Sequence, residues 1–341
     1  MKQYVGLDVS MEESSICVLD GDGASIFEGS APSRPEALIG LLRAKAPHAE
    51  RIALETGSLS SWLWHELRAA GLPVVCLDAR HAKAALSMRV NKTDRNDARG
   101  LAELIRMGWY REAKVKSMES RQIRAVLAAR AKLVNLRRDL ENQMRGLLKS
   151  LGLVVGKVGV RLLPRRVGSL LDQAPHLRSL IDPLISAHAA LLAQVARYDA
   201  QIRAIAKADE TVRRLMTVPG VGPITALAFV STIDDPHRFA HASDVGAYLG
   251  LTPRRYQSGE LDRNGRISKR GDRLTRYCLF EAAHVLLTVV RRPSPLKAWA
   301  SKLIKRVGPK KARVAVARKL AVILHCIWTD GTEFHWGKAD A

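Results

Sequence analysis

The sequence has 341 residues, of which 55 are Lys or Arg and 33 are Asp or Glu, for a formal net charge of +22; 47% are hydrophobic and four are cysteine. That length suits two or three domains, and no run of about 18 uncharged apolar residues announces a membrane span. Cys17, Cys76, Cys278 and Cys326 show neither a CxxC step nor a Cys/His metal spacing, so a disulfide framework and a zinc module are not supported.

The first third reads as α/β. YVGLDVS and SSICVLD are short apolar runs, and the GDG turn at Gly21–Gly23 leads into ASIFEG, which together predict a three-stranded meander. A helix starts near Pro35 and runs through EALIGLLRAKA. RIALE is a fourth strand, SSWLWHELRAAG a helix closed by Gly71, and PVVCLD a fifth strand. Thr93 or Asp94 then caps a helix through DARGLAELIRM. With no signal peptide ahead of the first strand, a cytoplasmic setting is expected.

From about residue 119 the pattern is helical. Val126, Leu133, Leu140 and Leu147 repeat every seven residues with Ala129 and Leu136 between them. Leu184, His188, Leu191, Val195, Tyr198, Ile202 and Ile205 form a second seam, so the two segments predict an antiparallel coiled-coil hairpin or a dimerisation arm. Residues 152–183 read as an irregular connector. Further on, VPGVGPITA is a Gly-rich turn into a helix, and Leu274–Val290 and Ala312–Trp328 are helix candidates. The expected organisation is α/β plus α: a ribonuclease H-like mixed sheet domain over 1–115, a helical coiled-coil segment over 116–210, and a mostly helical C-terminal domain over 211–330.

The charge follows this division. Residues 1–115 hold 15 basic and 15 acidic groups, residues 116–214 hold 19 and 8, and residues 251–318 hold 18 and 4. The basic surface therefore belongs to the middle and the C-terminal part, and it points to a polyanionic partner, with nucleic acid foremost.

Four acids stand out in the neutral third. Asp8 lies in the first strand among apolar neighbours, where a carboxylate is costly unless paired or bound to a cation, and Glu55 ends the fourth strand before a Gly. Asp94 and Asp97, three apart at a helix start, can point from one face. Together they suit two Mg²⁺ ions, which take oxygen ligands and promote phosphate chemistry. Singly, each also reads as a turn residue, a cap or an ordinary first-turn acid.

VGLDVS at Asp8, ALETG at Glu55, NKTDRNDAR at Asp94 and Asp97, VPGVGPITA, and FAHASDVGAYLGLTPRRYQSG together resemble the DEDD transposases of insertion-sequence family 110. The resemblance spans roughly residues 3 to 325. It implies a RuvC-like N-terminal domain that carries the acids and a C-terminal transposase domain whose serine forms a covalent link to DNA. That serine falls at Ser258, before Gly259. The resemblance also implies donor and target DNA as substrates, a structured guide RNA encoded by the element, and a homo-oligomer, dimer or tetramer.

A serine hydroxyl needs help to attack, and Mg²⁺ held by the acids would supply it. Arg254 and Arg255 are phosphate-clamp candidates, with Arg263, Arg266, Lys269, Arg270, Arg273 and Arg276 adding to the densest basic run. Tyr256 is the rival nucleophile, and a surface turn is the bland reading of Ser258. Gly220 and Gly222 read either as a phosphate-holding helix-hairpin-helix turn or as a tight connector. A second basic run covers Lys302 to Arg318, and Arg130, Lys132, Arg137, Arg138 and Arg145 on the coil are RNA-contact candidates. The leading expectation is a transposase or site-specific recombinase. The alternatives are a metal-dependent Holliday-junction resolvase or nuclease that uses water, and a nucleic-acid-binding scaffold.

Overall fold

The computed structural model describes residues 2–87, 91, 93–259 and 261–337. The chain forms two compact units, Met1–Lys116 and Ser117–Ala341, so the long helices expected over 116–210 share a unit with everything that follows them.

The first unit contains β1 (Gln3–Val9), β2 (Glu13–Leu19), β3 (Ser25–Pro32), α1 (Pro35–Lys45), β4 (Ala49–Glu55), α2 (Ser60–Ala69), β5 (Val74–Leu77), α3 (Ala79–Leu86) and α4 (Asp94–Arg106). β1 to β3 form the predicted antiparallel meander, and β4 and β5 add to β1 in parallel, giving the order β3-β2-β1-β4-β5. The sequence pattern gives no sign of α3, whose start is set by the Asp78 side chain accepting the Arg80 amide at 2.9 Å.

Strand alternation sorts the side chains onto two faces. Val5, Leu7, Ile16, Val18, Ile52 and Leu54 meet Leu38 and Leu42 of α1 and Leu63 and Leu67 of α2, and each such buried side chain contributes about 1.5–3 kcal/mol. The opposite face, which carries Gly6, Cys17, Leu19 and Ala53, lies under α4 through Ala98, Leu101, Ala102 and Ile105. The approach is close: a Cβ built on Gly6 would stand 1.9 Å from the Ala98 carbonyl oxygen and 2.6 Å from the Ala102 nitrogen. Burial pushes the Cys76 thiol up to about 12 and the Cys17 thiol up to about 11, so both are packing residues here.

In the second unit, α5 (Met118–Ser150), α6 (Leu163–Leu171) and α7 (Arg178–Ala208) come first. α5 and α7 run antiparallel. Ile123 and Leu127 cluster with Ile202 and Ala206, Arg130 Nε donates to Asp199 Oδ1 at 2.6 Å, Glu141 Oε1 lies 3.0 Å from His188 Nε2, and Met144 and Leu148 meet Ile181. Every advance along α5 is thus matched by an equal step back along α7.

The α7 seam falls where the sequence puts it, with His188, Val195 and Ile202 buried. The α5 seam falls one residue later than the Val126–Leu147 heptads, at Ile123, Leu127, Glu141, Met144 and Leu148, and Leu136 is exposed. Its middle is polar: Arg137 Nε lies 3.1 Å from Glu141 Oε1, so an apolar count follows the neighbouring stripe. The segment expected to be irregular contains α6, whose Leu163, Val167, Leu170 and Leu171 close a small core at the far end of the pair. The run Pro175–Ala208 is long and apolar enough to cross a membrane by composition; here its seam lies against α5.

α8 (Glu210–Leu215), α9 (Pro223–Ile233), α10 (Asp244–Tyr248), β6 (Pro253–Ser258), β7 (Leu261–Ile267), α11 (Arg273–Thr288), α12 (Pro295–Val307) and α13 (Pro309–Asp330) complete the unit. α9 is almost wholly buried, with Phe229 packed among Leu279, Leu286, Leu320 and Leu324 in one core cluster. The basic segment after residue 251 is a β-hairpin in this mostly helical unit.

Gly6→Ala is expected to cost about 1–3 kcal/mol by overpacking. Gly40→Ala, in α1 with nothing within 4 Å of its added Cβ, should instead stabilise by roughly 0.5–1 kcal/mol. Urea unfolding of the two variants checks the pair, and equal midpoints would contradict the contact.

Candidate active site

Sheet register brings two of the acids together. The parallel β1–β4 ladder pairs Gly6 with Ala53 and Leu7 with Leu54, so Asp8 and Glu55 are the next positions on neighbouring strands, about 4.8 Å apart in backbone spacing. Both fall on the α4 face, because alternation puts Asp8 with Gly6 and Glu55 with Ala53. Both are half-buried, and the Ser60 hydroxyl donates to the Glu55 carbonyl as the chain turns into α2.

α4 supplies the other two. Gly6 faces Ala98 and Ala102, while Tyr4, two residues earlier on β1, packs with the cluster holding Leu101, Leu104 and Ile105. The helix therefore runs antiparallel to β1, and its first turn lies toward the Asp8 end. Thr93 caps that turn by accepting the Asn96 amide at 3.2 Å. Asp97 is half-buried and Asp94 exposed, and both carboxylates gain from the positive end of the helix dipole.

All four groups offer oxygen donors at one end of one sheet face, a donor set that suits a hard divalent cation. Among the described residues, no group of three or more His, Cys, Asp or Glu side chains stands close enough together to hold a metal ion. The arginines interleaved with the aspartates are drawn away: Arg95 pairs with Glu28 on β3, and Arg99 Nη1 lies 3.8 Å from the same carboxylate.

Ser258 is the last residue of β6, opposite Leu261 of β7, with Gly259 at φ +55 opening the connection. It is exposed, and no side-chain hydrogen bond engages its hydroxyl among the described residues. Ser268 Oγ, by contrast, accepts the Arg270 amide at 3.4 Å. The Tyr256 ring packs on Gly265 and under Arg263, whose guanidinium carbon is 5.8 Å from its centroid, which suits positioning.

The basic candidates divide by their bonds. Arg255 forms a two-pronged pair with Asp262 at 2.8 and 2.6 Å, and Arg254 donates to the Ser268 carbonyl at 3.3 Å. Arg276 Nη1 donates to the Leu249 carbonyl at 2.9 Å and serves the fold. Arg263, Arg266, Lys269, Arg270 and Arg273 project from the hairpin and its exit. On α5, Arg130, Arg137 and Arg145 are turned to Asp199, Glu141 and the Gly156 carbonyl, leaving Lys132 and Arg138 exposed.

Gly220 has a packing reason for being glycine, since a Cβ there would stand 2.4 Å from the Ala282 carbonyl of α11. Gly222, the N-cap of α9, has open space around it.

Residues 5–152 match the IS110-type DEDD transposase family model, and residues 212–300 match that of the IS116/IS110/IS902 transposase family. The "Probable family 20 transposase" of Pseudomonas aeruginosa is 30% identical over 84% of this chain and 86% of its own. The chain belongs to the IS110 family of transposases. The "Transposase for insertion sequence element IS1111A" of Coxiella burnetii is 28% identical to this transposase over 98% of this chain and 92% of its own length. Among solved structures, Thermus thermophilus RuvC aligns with 33% of the transposase and 99% of its own chain at 15% identity, with a TM-score of 0.25.

Two features of this transposase escape sequence reasoning. Glu28 holds Arg95 and Arg99 from a strand far away in sequence, and nothing in ASIFEG marks it. The anchor of the hairpin also combines distant groups. Asp272 caps α11 by accepting the Thr275 amide at 2.7 Å and pairs with Arg124, which donates to Thr232 Oγ1 at 2.6 Å.

Burial pushes the Asp272 carboxyl up, but its bonds to Arg124 and Thr275 outweigh that and hold it below the ordinary carboxylate range. A depressed pKa stabilises fully above the unfolded value and is lost as pH falls through the folded one. Asp272→Asn should cost about 1–3 kcal/mol at pH 7, with the gap from the parent closing as the medium is made strongly acidic. Urea midpoints across pH check this, and a gap that widens on acidification would contradict it.

Proposed function

We propose that this IS110-family transposase cuts and rejoins DNA with two groups of side chains, the carboxylates of Asp8, Glu55, Asp94 and Asp97 and the hydroxyl of Ser258. The observation that carries the reading is the shared register of Asp8 and Glu55 beneath the first turn of α4. A ribonuclease H-like identity for the first unit is supported by its strand order, three antiparallel strands followed by two parallel additions.

The four carboxylates are the residues that would hold divalent metal, proposed as two Mg²⁺ ions. Such ions, when bound, would offset charge on the scissile phosphate and lower the pKa of a nearby hydroxyl. Glu28 keeps Arg95 and Arg99 from competing for the same carboxylates. Ser258, exposed beside Gly259, attacks phosphorus: its O–P bond forms, the strand's P–O bond breaks, the serine loses a proton and the departing oxygen gains one. A DNA hydroxyl later reverses the exchange and frees the serine. Arg263, Arg266 and Lys269 steer the backbone to the hairpin by charge. An element-encoded structured RNA is the proposed guide, supported by the family resemblance, and a dimer or tetramer is the proposed working assembly.

A resolvase-like reading, in which water attacks, differs in one product. Incubating the transposase with labelled donor DNA and Mg²⁺ and resolving it on a denaturing gel should reveal a protein–DNA adduct. Ser258→Ala should abolish the adduct and strand exchange, and Ser268→Ala should retain both. Asp8→Asn should lose cleavage altogether. Cleavage that persists in Ser258→Ala without an adduct in the parent would overturn the serine mechanism, and full activity in Asp8→Asn would overturn the carboxylate site.

A further inference from the structure

α12 and α13 are joined by the single residue Gly308 and pack against each other, making a helical hairpin in the second unit. Its corner carries five exposed cations: Lys302, Lys305 and Arg306 at the end of α12, and Lys310 and Lys311 at the start of α13. No Asp or Glu occurs between Glu281 and Asp330. None of the five has an ion-pair or hydrogen-bond partner among the described residues.

The placement runs against the local rule. Lys305 and Arg306 suit a helix C-terminus, but Lys310 and Lys311 occupy the first turn of α13, where the helix dipole disfavours cations and no acid accompanies them. Clustered like charges at an unfavourable helix end cost stability, which is expected at a site that serves an anion. Arg313, by contrast, stands over the Phe280 ring at 6.0 Å and belongs to the fold.

The same hairpin has an apolar groove of about 410 Å³ between its helices, lined by Pro295, Leu296, Trp299, Lys319 and Ile323. Trp299 is 41% exposed, although it adjoins the buried Ala300 and stands one turn from the buried Leu303. From Trp299 to Val307 the helix rises about 12 Å, so groove and cationic corner are within reach of one short strand. Phosphates need the cations, and a flat, neutral nucleobase needs an apolar groove with an aromatic π-face. A duplex offers the first and keeps its bases stacked away from the second.

We propose that the α12–α13 hairpin is a binding site for an unpaired DNA strand, with backbone phosphates on the Lys302–Lys311 corner and one base in the groove against Trp299. DNA is favoured because the family acts on DNA, and cutting and rejoining strands exposes unpaired segments. The site uses neither the carboxylates nor Ser258, so it stands or falls separately from the cleavage mechanism.

The test uses the full chain and a single-stranded oligodeoxynucleotide containing one 2-aminopurine, whose fluorescence falls when it stacks. Trp299→Ala should weaken binding about tenfold and remove the bound-state quenching, while Trp299→Phe should keep most of both. The triple variant Lys305→Gln, Arg306→Gln, Lys310→Gln should reduce the slope of log affinity against log salt by about 2. Duplex DNA and single-stranded RNA of the same sequence should compete weakly. Unchanged quenching in Trp299→Ala, an unchanged salt slope in the triple variant, or equal competition by duplex or RNA would each overturn the proposal.

Discussion

The close contact between α4 and β1 at Gly6 is the constraint on which the rest of the first unit depends. Any side chain at that position would collide with the α4 backbone, so glycine lets the helix lie directly on the strand. The direction of the helix, set by Ala98, Ala102 and the cluster around Leu104, then points its N-terminus at the end of β1 where Asp8 stands. Strand pairing adds Glu55 from the other side. Three ordinary packing decisions thus collect four carboxylates at one end of a sheet, in a unit whose own charges balance.

That balance gives the overall charge of +22 a structural meaning. Cations beside the carboxylates proposed to hold metal would compete for the same oxygens, and the two closest by sequence, Arg95 and Arg99, are taken up by Glu28. The surplus is carried by the second unit, partly along residues 116–214 and most densely on the β6–β7 hairpin and the α12–α13 corner. The two basic regions differ in kind. Around the hairpin several arginines are bound by neighbours, notably Arg255 by Asp262, and these shape the loop that presents Ser258. Among the described residues, the five cations of the α12–α13 corner have no such partners.

Much of this was legible in the sequence because its signals are local. Five strands, the helices α1, α2 and α4 of the first unit, a cap at Thr93 or Asp94 and the α7 seam all follow from periodicity and capping chemistry within short windows. What escaped depends on partners distant in the chain. The α5 seam was displaced by one residue because Arg130, Arg137 and Glu141 occupy its middle and are satisfied by α7 or by each other. The β6–β7 hairpin hides in a segment too charged for an alternation count. Gly220, which reads either as a phosphate-holding turn or as a tight connector, has a packing reason of its own in the proximity of α11.

The central claim is that packing at Gly6 makes the α4 aspartates and the strand-end carboxylates one metal-binding site. Anomalous diffraction from crystals of the transposase grown with Mn²⁺ tests it most directly. The account predicts a peak within about 2.0–2.2 Å of carboxylate oxygens from Asp8 and at least one of Asp94 and Asp97, as expected for a hard octahedral cation. A peak bound by Asp8 and Glu55 with no contribution from α4, or one elsewhere in the molecule, would contradict it.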